Sequence, residues 1–182
     1  MVNIYKLKLT VLQQEILRLL FIKAGMSLNA RGVARPLGVS PPAVSKALPH
    51  LEKLGYVKVA KDRESKRLSI ELNRDNRLVM GMKRADNLKQ IYESGLADFL
   101  HEKFPGATVV LFGSYAFGED TIHSDIDIAV VGAKEKDIEL TQFDMMLERT
   151  IILQFYPSFR EIHRNLRNNI LSGIILEGAA DL

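Results

Sequence analysis

The sequence predicts an α+β protein of two domains, and three observations carry that reading. Formal charge is divided along the chain. Residues 1–75 hold 14 Lys/Arg against 6 Asp/Glu, a net of +8, whereas residues 76–182 hold 11 against 16, a net of −5. Residues 10–54 show helical apolar spacing in three successive segments, followed by two short alternating runs. Beyond Pro105-Gly106, apolar strand-like runs alternate with helical ones, the pattern of helices packed on a sheet. A chain of 182 residues has room for two small domains. The expected division is a basic domain over 1–74, a helical linker over 75–104, and a mixed sheet flanked by helices over 105–182.

The elements follow in order. Thr10 is a good N-cap; Leu12, Ile16, Leu19 and Leu20 recur at helical spacing, and Gly25 supplies a stop. Asn29 caps a second, short helix through Leu37. In Gly38-Val39-Ser40-Pro41-Pro42, glycine permits a tight turn, Ser40 caps, and Pro41 takes the first helical position, where no amide hydrogen is needed. A third helix runs from Ala43, with Val44, Leu48, Leu51 and Leu54 on one face and Gly55 at its end. Pro49 removes one backbone bond and is expected to bend it. The runs Tyr56–Ala60 and Arg67–Leu72, joined by a charged loop, read as a hairpin. Residues 75–104 are helical, with Leu78, Met82, Ala85, Leu88, Ile91 and Tyr92 spaced for one face and a break at Gly95. Strands are expected over Thr108–Phe112, Asp125–Val131 and Thr150–Tyr156, and helices over Asp137–Glu148 and Phe159–Leu171.

Composition excludes several classes. Hydrophobic residues make up 47% and charged residues 26%, ordinary for a soluble globular protein. No apolar run reaches the ~18–20 residues needed to span a bilayer, so no membrane partner is expected. The opening Met-Val-Asn-Ile-Tyr-Lys has no apolar core with a cleavage site, the expectation being no signal peptide. With no cysteine there is no disulfide and no thiolate zinc site, which suits the cytoplasm.

Three helices with a tight turn before the third, then a hairpin, form a winged helix-turn-helix arrangement. The third helix presents Ser40, Pro41, Pro42 and Ala43 at its start, then Ser45, Lys46 and His50. Short side chains let a helix approach base edges in a major groove. Lys61, Arg63, Lys66 and Arg67 at the hairpin tip suit phosphates. His50 reads equally well as a partly packed surface residue. The run Leu37–Lys46 with Leu51–Val57 resembles the winged-helix regulators of the MarR-like type, over about residues 10–73. The resemblance implies double-stranded DNA as a partner and a symmetric homodimer on two half-sites. Residues 75–104 are the expected place for pairing or for linking the two domains.

The second half carries Val109-Val110-Leu111-Phe112-Gly113-Ser114-Tyr115-Ala116-Phe117-Gly118, then Ser124-Asp125-Ile126-Asp127. An apolar strand delivers the chain to Gly113-Ser114, where a helix begins; glycine lets backbone amides approach a phosphate, and the Ser114 hydroxyl adds a donor. Asp125 and Asp127, two apart on a strand, point to one face. Paired carboxylates repel unless a cation lies between them, and Mg²⁺ accepts one or two carboxylates plus phosphate oxygens. Together these pieces resemble the DNA polymerase β-like nucleotidyltransferase superfamily, most closely its minimal nucleotidyltransferases, over about residues 96–178. The resemblance implies that Gly113, Ser114 and Ser124 bind a nucleotide and that Asp125 and Asp127 hold Mg²⁺ or Mn²⁺ and serve as catalytic carboxylates. ATP or another NTP is the implied ligand.

Two departures stand out. The strand expected to supply a third carboxylate, Thr150–Tyr156, has none; Gln154 is its only amide, and Glu148 and Glu161 flank it. Phe117 stands where Arg is common in the small members. His123, between the motif halves, reads as a loop residue. Arg160, His163, Arg164 and Arg167 read as one helical basic face, either solvated or a second nucleic-acid or partner surface. Three functions are compatible with these residues. One is transfer of a nucleoside monophosphate to an acceptor hydroxyl on a protein or small molecule. Another is nucleotide sensing by a transcriptional regulator without transfer. The third is an antitoxin-like role beside a small helical toxin.

Overall fold

The structure, a computed structural model, describes residues 9–61 and 68–181. Arg63, Lys66 and Arg67 lie outside the described residues. The chain divides into two compact units that meet between Val79 and Met80, so residues 80–103 fall in the second unit.

In the first unit, α1 (Val11–Ile22) opens on a capping box. The Gln13 amide donates to Thr10 Oγ1 at 3.3 Å and the Thr10 amide donates to Gln13 Oε1 at 2.9 Å. Gln13 is buried and its Nε2 donates to the Ala47 carbonyl at 3.2 Å, tying α1 to α3. Asn29 caps α2 (Ala30–Ala34), which ends before Leu37. Ser40 caps α3 (Pro41–Lys53), which begins at Pro41 and runs through Pro49 on its exposed side. The hairpin β1 (Val57–Lys61) and β2 (Leu68–Leu72) is antiparallel, with Val57 opposite Leu72. Leu28 bridges to Ile70, joining the helices to the hairpin. Ile16, Leu20, Val33, Val44, Leu51, Val57 and Ile70 are buried together as its apolar interior. This is the winged helix-turn-helix expected.

Across the unit boundary runs α4 (Arg77–Glu93), and Gly95, in the left-handed conformation, separates it from α5 (Leu96–Lys103). Of the apolar face predicted by spacing, Ile91 is buried and Met82 and Leu88 are half-buried, but Leu78, Ala85 and Tyr92 are exposed. Leu78 and Tyr92 are 59% and 51% exposed, whereas Val79, Lys83, Asn87 and Ile91, one i+4 stripe, are buried. Two of those four are polar. Lys83 and Asn87 find partners in the loop around Asp120, and those bonds outweigh the local hydrophobic periodicity.

The second unit is built on a mixed four-stranded sheet, order β5-β4-β3-β6. Strand β3 (Thr108–Phe112) leads into the short α6 (Gly113–Phe117) and pairs antiparallel with β4 (Ile126–Val131). Strand β5 (Ile151–Tyr156) lies parallel to β4, reached through α7 (Thr141–Leu147). That helix starts later than Asp137 because the Glu139 carboxylate accepts the Thr141 amide at 2.9 Å and turns the chain there. The expected helix over Phe159–Leu171 is broken into a 3₁₀ turn, Phe159–Glu161, and α8 (Arg164–Leu171). Ile162 between them is extended and buried with Phe159 and Ile170, so Arg160 does not share a helix with Arg164 and Arg167. Strand β6 (Ile174–Glu177), unforeseen from sequence, closes the β3 edge.

Alternation along β3 and β4 builds two apolar layers. Val109, Leu111, Ile126, Ile128 and Val130 join Leu96, Leu100, Phe143 and Ile151 on one face. Val110, Phe112, Ala129 and Val131 join Phe159, Ile162 and Ile170 on the other. The parity of β4 places Asp127 on this second face.

Candidate functional site

The β3–β4 register sets Phe112 opposite Asp127, so the turn into α6 meets that carboxylate. Gly113 has φ +72°, and a Cβ on it would stand 2.6 Å from Asp127 Oδ2. Only glycine allows the strand-to-helix turn to press against the carboxylate. Gly113→Ala is therefore expected to cost about 1–3 kcal/mol and to push Asp127 aside; a thermal melt with a Mg-ATP titration checks both effects. No side-chain hydrogen bond caps α6, and Ser114 is half-buried beside its start.

Asp125 is exposed just before β4, and Asp127 is half-buried. The Asp127 carboxyl is raised above the ordinary carboxylate range, first by burial and second by the charge of Asp125. This pair suits a cation delivered with a nucleotide. Among the described residues no group of three or more His, Asp or Glu is placed to hold a metal. The neighbour of Asp127 on β5 is Ile152, 37% exposed, an apolar side chain beside the carboxylate. Gln154, next to Ala129, accepts from the Tyr156 hydroxyl at 2.7 Å.

A cleft of about 470 Å³ opens at the starts of β4 and β5; its lining includes His123, Ser124, Asp125, Glu148 and Arg149 but not Gly113, Ser114 or Asp127. Ser124 Oγ accepts the Thr121 amide at 3.0 Å, which closes the turn that carries His123. Of the two flanking glutamates, Glu148 lies in this cleft with Asp125. Glu161 instead accepts from Ser158 Oγ at 3.1 Å. Glu148 has φ +52°, the one positive value among described non-glycine residues, in a region that costs an ordinary side chain energy.

Behind the site is a buried charged cluster that motif reading missed. Asp120, fully buried in the loop between the motif halves, accepts from Lys83 Nζ, from Asn87 Nδ2 at 2.7 Å and from Arg149 Nη2 at 3.4 Å. Asn87 also donates to the Tyr115 carbonyl at 2.9 Å, and Arg149 Nη1 to the Glu148 carbonyl at 2.8 Å. α4 is thereby bolted to α6, to the loop that leads to Asp125 and to the edge of the cleft. The legible signal was Lys83 and Asn87, polar residues four apart in register with Val79 and Ile91.

In the first unit, Pro42, Ser45, Lys46 and His50 share the exposed face of α3, and Lys61 is exposed at the end of β1. Pro41 and Ala43 are half-buried. The Ser40 hydroxyl accepts the Ala43 amide at 3.3 Å, so its role is at least that of a cap.

Residues 93–172 match the family described as nucleotidyltransferase domain. No curated protein matches the chain. Among solved structures, the chain is similar to the adhesin competence repressor AdcR from Streptococcus pyogenes, at 26% identity over 57% of this chain and 72% of that one, with a TM-score of 0.42. It is similar to ZitR, a zinc-responsive MarR family member from Lactococcus lactis, at 21% identity over 56% and 67%, with a TM-score of 0.41. The MepR–DNA complex of Staphylococcus aureus gives 21% identity over 52% and 81%, with a TM-score of 0.37. Among the described residues no helix is long and apolar enough to cross a membrane. Residues 93–172, which match the nucleotidyltransferase domain family, follow a winged helix-turn-helix unit.

Proposed function

We propose that the chain is a DNA-binding regulator whose nucleotidyltransferase domain holds a Mg-bound nucleoside triphosphate. The observation that carries the nucleotide reading is the contact between the Gly113 turn and the Asp127 carboxylate, with Asp125 beside it. Gly113 and Ser114 would receive phosphate oxygens. Asp125 and Asp127 would hold Mg²⁺, which when bound neutralises phosphate charge. Asp127, with its raised carboxyl, favours any cation that relieves the repulsion from Asp125. Ser124 closes the turn that immediately precedes Asp125.

The apolar Ile152 beside Asp127 favours binding and sensing over transfer, since it offers no carboxylate to take a proton from an acceptor hydroxyl. One observation favours a second reading: Glu148 shares the cleft with Asp125 and is held in an unusual backbone conformation. In that reading Glu148 is the base for nucleoside monophosphate transfer. Labelled ATP with Mg²⁺ or Mn²⁺ and cell lysate separates the two. Sensing is supported by retained ATP, no labelled acceptor, and a change in DNA affinity with ATP. A labelled acceptor that disappears in Glu148→Gln overturns it in favour of transfer.

The DNA half is supported by the exposed Ser45, Lys46 and His50 on α3 and by the excess of +8 over residues 1–75. Lys46→Ala is expected to weaken binding to duplex DNA and to lower the salt slope of log K by about one, because one DNA phosphate is no longer neutralised by the protein. Fluorescence anisotropy over a salt series measures it, and an unchanged slope removes Lys46 from the interface.

A further inference from the structure

The nucleotide reading leaves a charge imbalance. From Gly113 to Asp127 the chain carries Glu119, Asp120, Asp125 and Asp127 and no Lys or Arg. A triphosphate brought here adds more negative charge, and a metal ion alone must then offset all of it. Phe117 stands where the family resemblance implies arginine, so α6 itself supplies no cation. Nearby, Lys83 and Arg149 are buried and committed to Asp120.

Arg84 is different. It follows Lys83 on α4, is exposed, and lays its guanidinium over the Phe117 ring, 5.6 Å from the centroid. Its backbone has little slack. Gly118 has φ +74°, and a Cβ there would stand 2.7 Å from the Arg84 amide nitrogen and 2.8 Å from the Met80 carbonyl. Backbone packs on backbone at this point, and the buried Lys83–Asp120–Asn87 cluster locks the same turn of α4. Phe117 closes α6 one helical turn, about 6 Å, from Gly113. A phosphate tail anchored at Gly113-Ser114 and an arginine side chain span that distance together. A ring beneath a guanidinium holds the plane while its edge N–H groups stay available for bidentate phosphate bonds.

We infer that Arg84, supplied by α4 from outside residues 93–172, is a phosphate-binding residue of the nucleotide site and does the work that an arginine at position 117 would do. The inference rests on the nucleotide reading above. It makes α4 part of the ligand site as well as its support.

Calorimetric titration of Mg-ATP into the full chain tests it, with Arg84→Gln, Arg84→Lys and the double variant Arg84→Gln/Phe117→Arg beside the unaltered protein. Removing a charge-assisted bidentate bond is expected to weaken Mg-ATP binding roughly ten- to hundredfold in Arg84→Gln. Lysine should recover part of the loss, because it keeps the charge but not the fork. Arginine at 117 should restore binding in the double variant, which a merely structural role for Arg84 would not allow. The melting temperature should stay unchanged, since Arg84 is exposed. Full affinity in Arg84→Gln, while Asp125→Asn/Asp127→Asn abolishes binding, overturns the Arg84 assignment and leaves the nucleotide reading standing. A loss of affinity that follows a lowered melting temperature and is not restored by Phe117→Arg also overturns it. No Mg-ATP binding by the unaltered protein overturns the nucleotide reading, and the Arg84 assignment falls with it.

Discussion

Asp120→Asn is expected to destabilise the second unit by about 3–5 kcal/mol, because it removes the buried negative charge that Lys83 and Arg149 face. Lys83 and Asp120 are fully buried and Arg149 is 5% exposed, so water cannot replace the missing partner. The asparagine keeps the shape and can still accept from Asn87 or Lys83, which isolates the charge as the cause. For a chain of this length the loss should lower the melting temperature by more than about 6 °C. Lys83→Met should be costly for the mirrored reason, leaving Asp120 with Arg149 at 3.4 Å as its remaining cation. The double variant Lys83→Met/Asp120→Asn should cost less than the sum of the two, since each change removes one member of the same charge pair. Calorimetric melts of the three variants decide the matter. A shift of under about 1 kcal/mol for Asp120→Asn would mean that the cluster does not bolt α4 in place.

The second large effect concerns the ligand. Asp125→Asn with Asp127→Asn should abolish metal-dependent ATP binding and leave DNA affinity as it is. Asp127→Asn alone should do something further: raise the stability of the ligand-free protein. The folded Asp127 carboxyl is raised above its unfolded value by burial and by Asp125. Between the two values the folded chain keeps a proton that the unfolded chain has released, so this group's contribution to stability falls as pH rises through that window. At neutral pH the ionised pair is a liability in the absence of a cation. Removing it should gain about 0.5–1 kcal/mol, kept small by solvent screening at a partly exposed site. Melts of Asp127→Asn at neutral pH, with and without Mg²⁺ and ATP, test the trade: higher without ligand, and unresponsive to ligand. Unchanged Mg-ATP affinity in the double variant would sink the assignment of the site.

Local chemistry makes much of this molecule legible. Thr10, Asn29 and Ser40 each act as the cap that the sequence predicts, since a side-chain acceptor before an apolar helical run has few other uses. The Gly113 turn and the Asp125-x-Asp127 spacing depend on residues near one another in the chain. Where sequence and structure part, the cause is distant. Apolar spacing finds Ile91 but misses the rest of the buried stripe of α4, because Lys83 and Asn87 are buried through Asp120, more than 30 positions away. Periodicity favours a continuous helix over Phe159–Leu171, yet Ile162 leaves helical geometry to join the core beneath β3 and β4. Strand β6 gives no warning because four residues after Gly173 carry little periodic signal until β3 offers an edge to pair with.

By itself, the sequence determined the α+β class, the helix caps and the strand-to-helix turn at Gly113, and it singled out the residues proposed to face a phosphate or a cation. These depend on spacing, charge and turn chemistry within short stretches of chain. Only the tertiary structure decided which neighbour those residues meet: Asp127 against Gly113, Ile152 beside Asp127, Glu148 in the cleft with Asp125, and Arg84 over Phe117. Register across a sheet and packing between distant segments set those pairings, and neither is written in any local run of residues.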